Sequence, residues 1–413
     1  RRFDVDLTDG IEVTSGHLTD CGDTYHPGEA TGSSILTVLT LDMELAEYET
    51  SSLSVISSGL VLYASPSNLF VAGGIAGARS LWSADPSLLP TISHIHQFDI
   101  STQPGSALYT ASGTIDGFVL NQFSMSEYNG DLRVATTYGE TLADARNSVQ
   151  VLRRNGASLD IIGRADDIAP GEELYAARFM GPIGYLVTYP TPDEDPWEDP
   201  WDDWGDDDWW DGDANNDPLF TIDLTDHENP TVRGELIVPG FSTYIHPFDA
   251  GHLMTIGESG DDSGADGGVA LSMFDVTDLD DPQRIHHVDL GDWDVSSDAK
   301  FDHHAFLFWP TTGLLAIPLE MADWFGNPFS GVFAFHVDVP TGFEFRADIA
   351  HTEFTGEEGS DNYGGLSVPR RSVVIGTYLI TISDLGIVVT DMPTWTDLLR
   401  VDLPWKDRTL EGR

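Results

Sequence analysis

Along most of this chain short apolar blocks alternate with polar turns, and Gly, Pro, Asn or Asp closes almost every block. The blocks are rich in Val, Ile, Thr, Phe and Tyr and too short for helices, so the pattern predicts strands. One block returns. Pro218-Leu-Phe-Thr-Ile-Asp-Leu-Thr-Asp-His-Glu-Asn-Pro230 is matched by Leu271-Ser-Met-Phe-Asp-Val-Thr-Asp-Leu-Asp-Asp-Pro282, an apolar strand running into an Asp turn and a proline. The Asn/Asp-Pro pair closes a strand rather than a helix. The period, about 50 residues, is that of a repeat whose units cannot bury their own apolar faces.

Weaker copies align at residues 35–41, 92–100, 148–153, 331–337 and 386–391, which makes seven units. Most units carry a second apolar run: Leu69-Phe-Val-Ala, Leu132-Arg-Val-Ala, Tyr185-Leu-Val-Thr, Leu253-Met-Thr-Ile, Leu314-Leu-Ala-Ile and Tyr378-Leu-Ile-Thr. The predicted fold is all-β, a single β-propeller of about seven four-stranded blades. Residues 1–34 are expected to lead into it, and 35–413 to form it. The last unit reads as stopping soon after Asp391, short of its second strand pair, which would expose strand edges. An upstream segment is therefore expected to complete the last blade, with Cys21, the one cysteine, as a candidate tether. Arg1-Arg2 and Arg413 suit arginine-directed cleavage and suit trimming equally.

The 413 residues are 40% hydrophobic and 10% aromatic, enough for a continuous core, and no stretch is long and apolar enough to span a membrane. The formal charge of −50 arises from 69 acidic against 19 basic residues, with lysine only at Lys300 and Lys406. Such a field repels phosphate, which excludes nucleic acid as a partner. It suits solubility in a salty medium and partial neutralisation by calcium alike.

The repeat is interrupted at residues 190–217 by an insertion dense in Asp, Glu, Pro and Trp, with Trp197, Trp201, Trp204, Trp209 and Trp210. Its end, Asp211-x-Asp213-x-Asn215-x-Asp217, spaces oxygen ligands as the first half of a calcium loop does. Gly212 sits at the second position rather than the sixth, and Ile222 stands where a bidentate Glu belongs, so the loop is not a complete EF-hand. An unliganded acidic loop is the competing reading, against which the tryptophans weigh. A second acidic run occupies residues 261–266.

Equivalent positions of successive propeller blades come round in a ring. Ahead of the second apolar runs stand Asn121-Gln122, Arg178, His246, His303-His304 and Arg370-Arg371. Gln122, Arg178, His246, His303, His304 and Arg370 thus form a candidate ligand-binding set at one channel mouth. The same residues suit hydrogen bonding between units. His246, His303 and His304 also have the chemistry of transition-metal ligands, with His94-x-His96 as a weaker addition. No Gly-x-Ser-x-Gly elbow, His-Glu-x-x-His, phosphate loop or Cys-x-x-Cys occurs, so the catalytic residues are unassigned.

Leu120-Asn-Gln-Phe-Ser-Met-Ser-Glu-Tyr-Asn-Gly-Asp131, Ile168-Ala-Pro-Gly-Glu-Glu-Leu-Tyr175, Asp217-Pro-Leu-Phe220 and Gly234-Glu-Leu-Ile-Val-Pro239 give the chain a further resemblance. It resembles an uncharacterised family of secreted prokaryotic proteins with a C-terminal β-propeller domain distantly related to WD repeats. The resemblance implies an exported or cell-surface propeller and carries over no reaction. The acidic insertion falls between two of the shared phrases. The expected function is a calcium-stabilised binding or scaffold module that meets a protein partner. The alternatives are an exported metal-dependent enzyme acting at the channel mouth, or a subunit of a surface assembly.

Overall fold

The computed structural model describes residues 2–6, 12–16, 18–28, 31–32, 34–41, 50–74, 92–102, 105–139, 141, 144–190, 216–260, 267–291, 294–321, 328–354 and 367–403. Among them, regular structure is almost entirely strand, with four 3-10 turns. From residue 61 onward the strands follow one another as antiparallel meanders, the first two joined into one eight-stranded sheet by a parallel pairing of Ser158 with Ser112. The first takes Val61–Ala64, Asn68–Gly74, Ile92–Asp99 and Leu108–Asp116; the second takes Met125–Tyr128, Asp131–Tyr138, Arg146–Asn155 and Ser158–Ile168. Glu172–Met180, Ile183–Pro190, Asn216–Asp223 and Thr231–Pro239 make the third, and Phe241–Pro247, His252–Glu258, Ala270–Asp275 and Gln283–Asp289 the fourth. In the fifth, Leu307–Trp309 and Val295–Ser296 both pair with Leu314–Met321, followed by Phe329–Asp338 and Gly342–Ala350. The sixth consists of Pro369–Ile375, Tyr378–Ser383, Gly386–Asp391 and Thr396–Asp402.

The repeat alignment is in phase with this order. Every copy from Ile92 onward falls in the third strand of its meander, and every second apolar run falls in the second strand. The first copy differs. Ile35–Leu41 lies at the edge of a three-stranded sheet with Thr50–Ile56 and the two-residue strand Thr24–Tyr25, and Arg2–Asp6 pairs with Glu12–Gly16 in a separate hairpin. The expectation of a short last unit is corrected. Thr396–Asp402 supplies its fourth strand, so the sixth sheet draws all four strands from residues 369–402. Its strand is fully exposed and offers no buried apolar face to read.

Two compact units divide the chain: residues 1–198 with 222–232, and residues 199–221 with 233–413. Within the first, Phe70, Ile95 and Ile115 of the first meander pack against Met125, Leu132 and Leu152 of the second. Within the second, Leu314, Val332 and Ile349 of the fifth sheet pack against Leu379 and Val388 of the sixth. In each of these pairs the apolar face of one meander is buried on its neighbour, as the repeat requires.

In four of the repeats the Asp that ends the strand builds an Asx-type turn. Asp99 Oδ1 accepts the amides of Ser101 and Thr102, Asp223 Oδ1 that of Thr225, Asp275 Oδ1 that of Thr277, and Asp338 Oδ1 that of Thr341. These bonds hold the Asp99 carboxyl down to about 2, led by the Thr102 hydroxyl. The turn beyond then packs on the fourth strand of the preceding sheet. A Cβ on Gly163 would lie 2.2 Å from the His227 carbonyl oxygen, and one on Gly234 would lie 2.3 Å from that of Leu279. The proline of the sequence repeat sits beside each glycine, Pro230 Cδ at 2.9 Å and Pro282 Cδ at 2.8 Å.

Candidate functional site

The six residues of the candidate set fall in two groups. Gln122 opens the 3-10 turn Gln122–Ser124, capped where the Asn121 side chain accepts the Phe123 amide at 2.9 Å. Arg178, on the first strand of the third sheet, stacks its guanidinium 4.6 Å from the Phe123 ring centre. Gln122 also lines an open recess of about 540 Å³ with Val61, Tyr63, Leu120 and Asn121. These contacts lie within residues 1–198 and 222–232.

The other four belong to the second unit, where His303, His304 and Arg370 share one network and His246 adjoins it. Its centre is the loop between Val295–Ser296 and Leu307–Trp309. Ser297 Oγ accepts the Ala299 amide at 3.2 Å and donates to the Pro318 carbonyl at 2.6 Å, fixing the 3-10 turn Asp298–Lys300. Asp302 Oδ1 accepts the His304 amide at 3.0 Å and caps a second turn, His303–Ala305. The Asp302 amide donates to the Asp298 carbonyl at 2.8 Å, which ties the turns together. Between them Phe301 is 80% exposed.

Charged groups from other strands brace this loop. Arg371 donates to Asp302 Oδ2 at 2.7 Å, Arg370 to Asp298 Oδ2 at 2.6 Å, and the buried Lys300 to Glu258 Oε1 at 2.8 Å. His304 Nδ1 lies 2.9 Å from Asp302 Oδ1, and the His303 and His304 rings are 3.8 Å apart, centre to centre. Partial burial pushes the Asp302 carboxyl up, but the His304 amide and the Arg371 guanidinium outweigh it and hold it at about 2. Burial, then the Asp298 carboxylate, raises Glu320. Asp302 is an anion prepositioned between a guanidinium and two imidazoles.

His246 adjoins this network through aromatic contacts. Its Nδ1 meets the Tyr244 hydroxyl at 3.1 Å, and its ring packs 5.1 Å from Phe306 and 5.6 Å from Phe308. Tyr244 in turn lies 6.3 Å from His303. The arginines are already matched to carboxylates, so the face presents paired charge. Tyr244, Asp298, Asp302 and Phe301 were not singled out from sequence. One signal was available: with 69 acids to 19 bases, an exposed Arg has carboxylates to choose from, as Arg370 and Arg371 do here.

Other histidines serve the fold. His96 Nε2 meets Ser57 Oγ at 2.8 Å and its Nδ1 meets the Tyr109 hydroxyl at 3.0 Å. His351 meets Ser383 Oγ at 2.9 Å and Thr381 Oγ1 at 2.7 Å. His287 lies between Ser272 Oγ and Asp289 Oδ1, each at 2.9 Å. Each of these imidazoles is tied to a hydroxyl, and burial lowers His96 and His351 to about 4. His94-x-His96 is therefore corrected as a ligand pair, since both His96 nitrogens are engaged. Asp211, Asp213 and Asn215 lie outside the described residues. Asp217 falls in the strand Asn216–Asp223.

Successive four-stranded meanders, with a polar set ahead of the second strands, define a propeller-class protein. The chain belongs to the Beta propeller domain family, whose profile it matches over residues 5–196 and 214–395. An uncharacterized protein of Methanocaldococcus jannaschii is 37% identical over 199 residues, 48% of this chain and 26% of that protein. One of Archaeoglobus fulgidus is 31% identical over 225 residues, 54% of this chain and 29% of that protein. The matched stretch thus spans little more than a quarter of either relative. Among solved structures, a periplasmic gluconolactonase of Pseudomonas aeruginosa is similar with a TM-score of 0.46 at 12% identity, over 90% of this chain and 97% of that one. Sqt1 of Saccharomyces cerevisiae is similar at 0.38 and 10% identity, over 83% and 85% of the two chains.

Proposed function

We propose that this chain is a binding module of the propeller class, exported from a prokaryotic cell or held at its surface, and that it meets its partner through the loop of residues 297–306. The observation that carries this reading is Phe301, 80% exposed at the centre of a loop braced by capped turns and by ion pairs from Arg370, Arg371 and Glu258. A rigid aromatic anchor ringed by polar pairs has the anatomy of an interface hot spot. The partner is a protein, and Cys21, exposed in the turn Cys21–Asp23, is a candidate tether. Calcium held by Asp211, Asp213, Asn215 and Asp217 completes the reading, in keeping with the oxygen spacing and the charge of −50. No helix among the described residues is long and apolar enough to cross a membrane.

A photoreactive side chain at position 301, in the full chain exposed to the host's extracellular fraction, tests the reading. It is expected to capture one polypeptide that the same probe at Ile375, itself exposed, does not. Equal capture at both positions would sink the proposal. For calcium, tryptophan fluorescence is expected to change on titration, and a flat trace through millimolar calcium removes that part.

A further inference from the structure

We infer that Asp302, His303 and His304 form a binding site for a divalent transition metal, of the zinc or cobalt class. The inference stands on this loop alone and does not depend on the partner-binding reading. One carboxylate oxygen of Asp302 and one nitrogen from each imidazole lie within 4.8 Å of one another, the only such group of three among the described residues. A tetrahedral ion with donors at about 2.0–2.2 Å needs its ligand atoms within roughly 3–4 Å, so small rotations of the two imidazoles close the set. His304 Nδ1 and Asp302 Oδ1 are in hydrogen-bond contact at 2.9 Å, so a metal that uses both atoms takes the place of the proton between them.

The surroundings have what a metal site needs beyond its ligands. Arg371 holds Oδ2 of Asp302 at 2.7 Å and the His304 amide donates to Oδ1 at 3.0 Å, so the carboxylate is oriented and ionised before any metal arrives. The Tyr244 ring, 6.3 Å from that of His303, supplies an apolar wall on one side. His304 is exposed on the other, which gives an entry path. Two nitrogens and one oxygen select a borderline-soft ion over calcium, which takes six to eight oxygens. Three protein ligands leave a fourth position open to water or to an outside group. The contrasting pair Asp249–His252, 2.8 Å apart, has no second imidazole in reach and serves as the internal control.

Cobalt(II) and zinc titrations of the full chain in millimolar calcium, which saturates carboxylate loops, test the site. The expected result is one equivalent of cobalt per chain with ligand-field absorption in the visible, displaced by zinc. His303→Ala and His304→Ala are each expected to weaken binding at least tenfold, and His252→Ala to leave it unchanged. Both substituted rings lie on the loop surface or half-buried, and the melting temperature of the metal-free variants checks that they fold. A double His303→Ala/His304→Ala variant that folds and binds cobalt as tightly as the parent overturns the inference. So does a parent chain without stoichiometric cobalt binding.

Discussion

Arg371 places a guanidinium nitrogen 2.7 Å from Oδ2 of Asp302, across nearly seventy residues of sequence, and so fixes the loop that carries Phe301 and the paired histidines. The pair is half-exposed, so its worth to stability is small, about 0–1 kcal/mol. Its effect is local. Burial alone would raise the Asp302 carboxyl, and the His304 amide and Arg371 reverse that. In Arg371→Gln the carboxyl is expected to climb from about 2 toward its ordinary value while the melting temperature moves little. Carbon-detected NMR titration of Asp302 reads this; a carboxyl still at about 2 would show that Arg371 is not what holds it down.

Gly163 and Gly234 occupy the same place in successive sheets, each beneath a proline turn. A methyl group at either meets backbone that cannot yield, so Gly163→Ala and Gly234→Ala are expected to cost about 1–3 kcal/mol each. Gly22 has open space around its missing side chain, and Gly22→Ala is expected to fall within about 0.5 kcal/mol of the parent. Denaturant melts compare the three. Equal stability of Gly234→Ala and Gly22→Ala would refute the packing argument.

His96 and His351 are buried and hold their protons only below about 4, against about 6.5 in an unfolded chain. Between those values the unfolded state binds more protons, so stability rises with pH there. Their contribution is full above about 6.5 and is lost as pH falls toward 4. The parent is expected to lose more stability than His351→Asn between pH 7 and 4, although the variant is weaker at pH 8. Parallel pH profiles for the two proteins would contradict the assignment.

Asp275 accepts both the amide and the hydroxyl of Thr277, at 2.9 and 2.6 Å. Asp275→Ala removes both bonds at one repeat turn and is expected to cost about 1 kcal/mol. The equivalent change at Asp338, which accepts the amide and hydroxyl of Thr341, should cost a similar amount. A null effect at both sites, read by thermal melts, would mean that the Asx turns do not set the repeat.

The strand–Asp–proline period was legible because a fixed local geometry imposes it. Alternating side chains bury one face, an Asp side chain closes the turn, and a proline starts the next strand without needing an amide partner. That is why the copies from Ile92 to Asp391 fall on equivalent strands. The same logic placed Arg178, His246, His303 and Arg370 near first strands. It gave no hint of Thr396–Asp402, whose exposed residues have no apolar rhythm, and so the last sheet read as shorter than it is.

Sequence by itself determined the class of fold and the phase of its repeat, since both follow from local preferences repeated along the chain. Tertiary structure decided which polar residues meet. Arg371 reaches Asp302, and Lys300 reaches Glu258, across separate sheets, a choice made by packing and charge pairing rather than by spacing. It also separated His303 and His304, set around a prepositioned carboxylate at the surface, from His96 and His351, which are buried against hydroxyls. The imidazoles are identical as residues. Their surroundings make one pair fit for a metal and the other part of the fold.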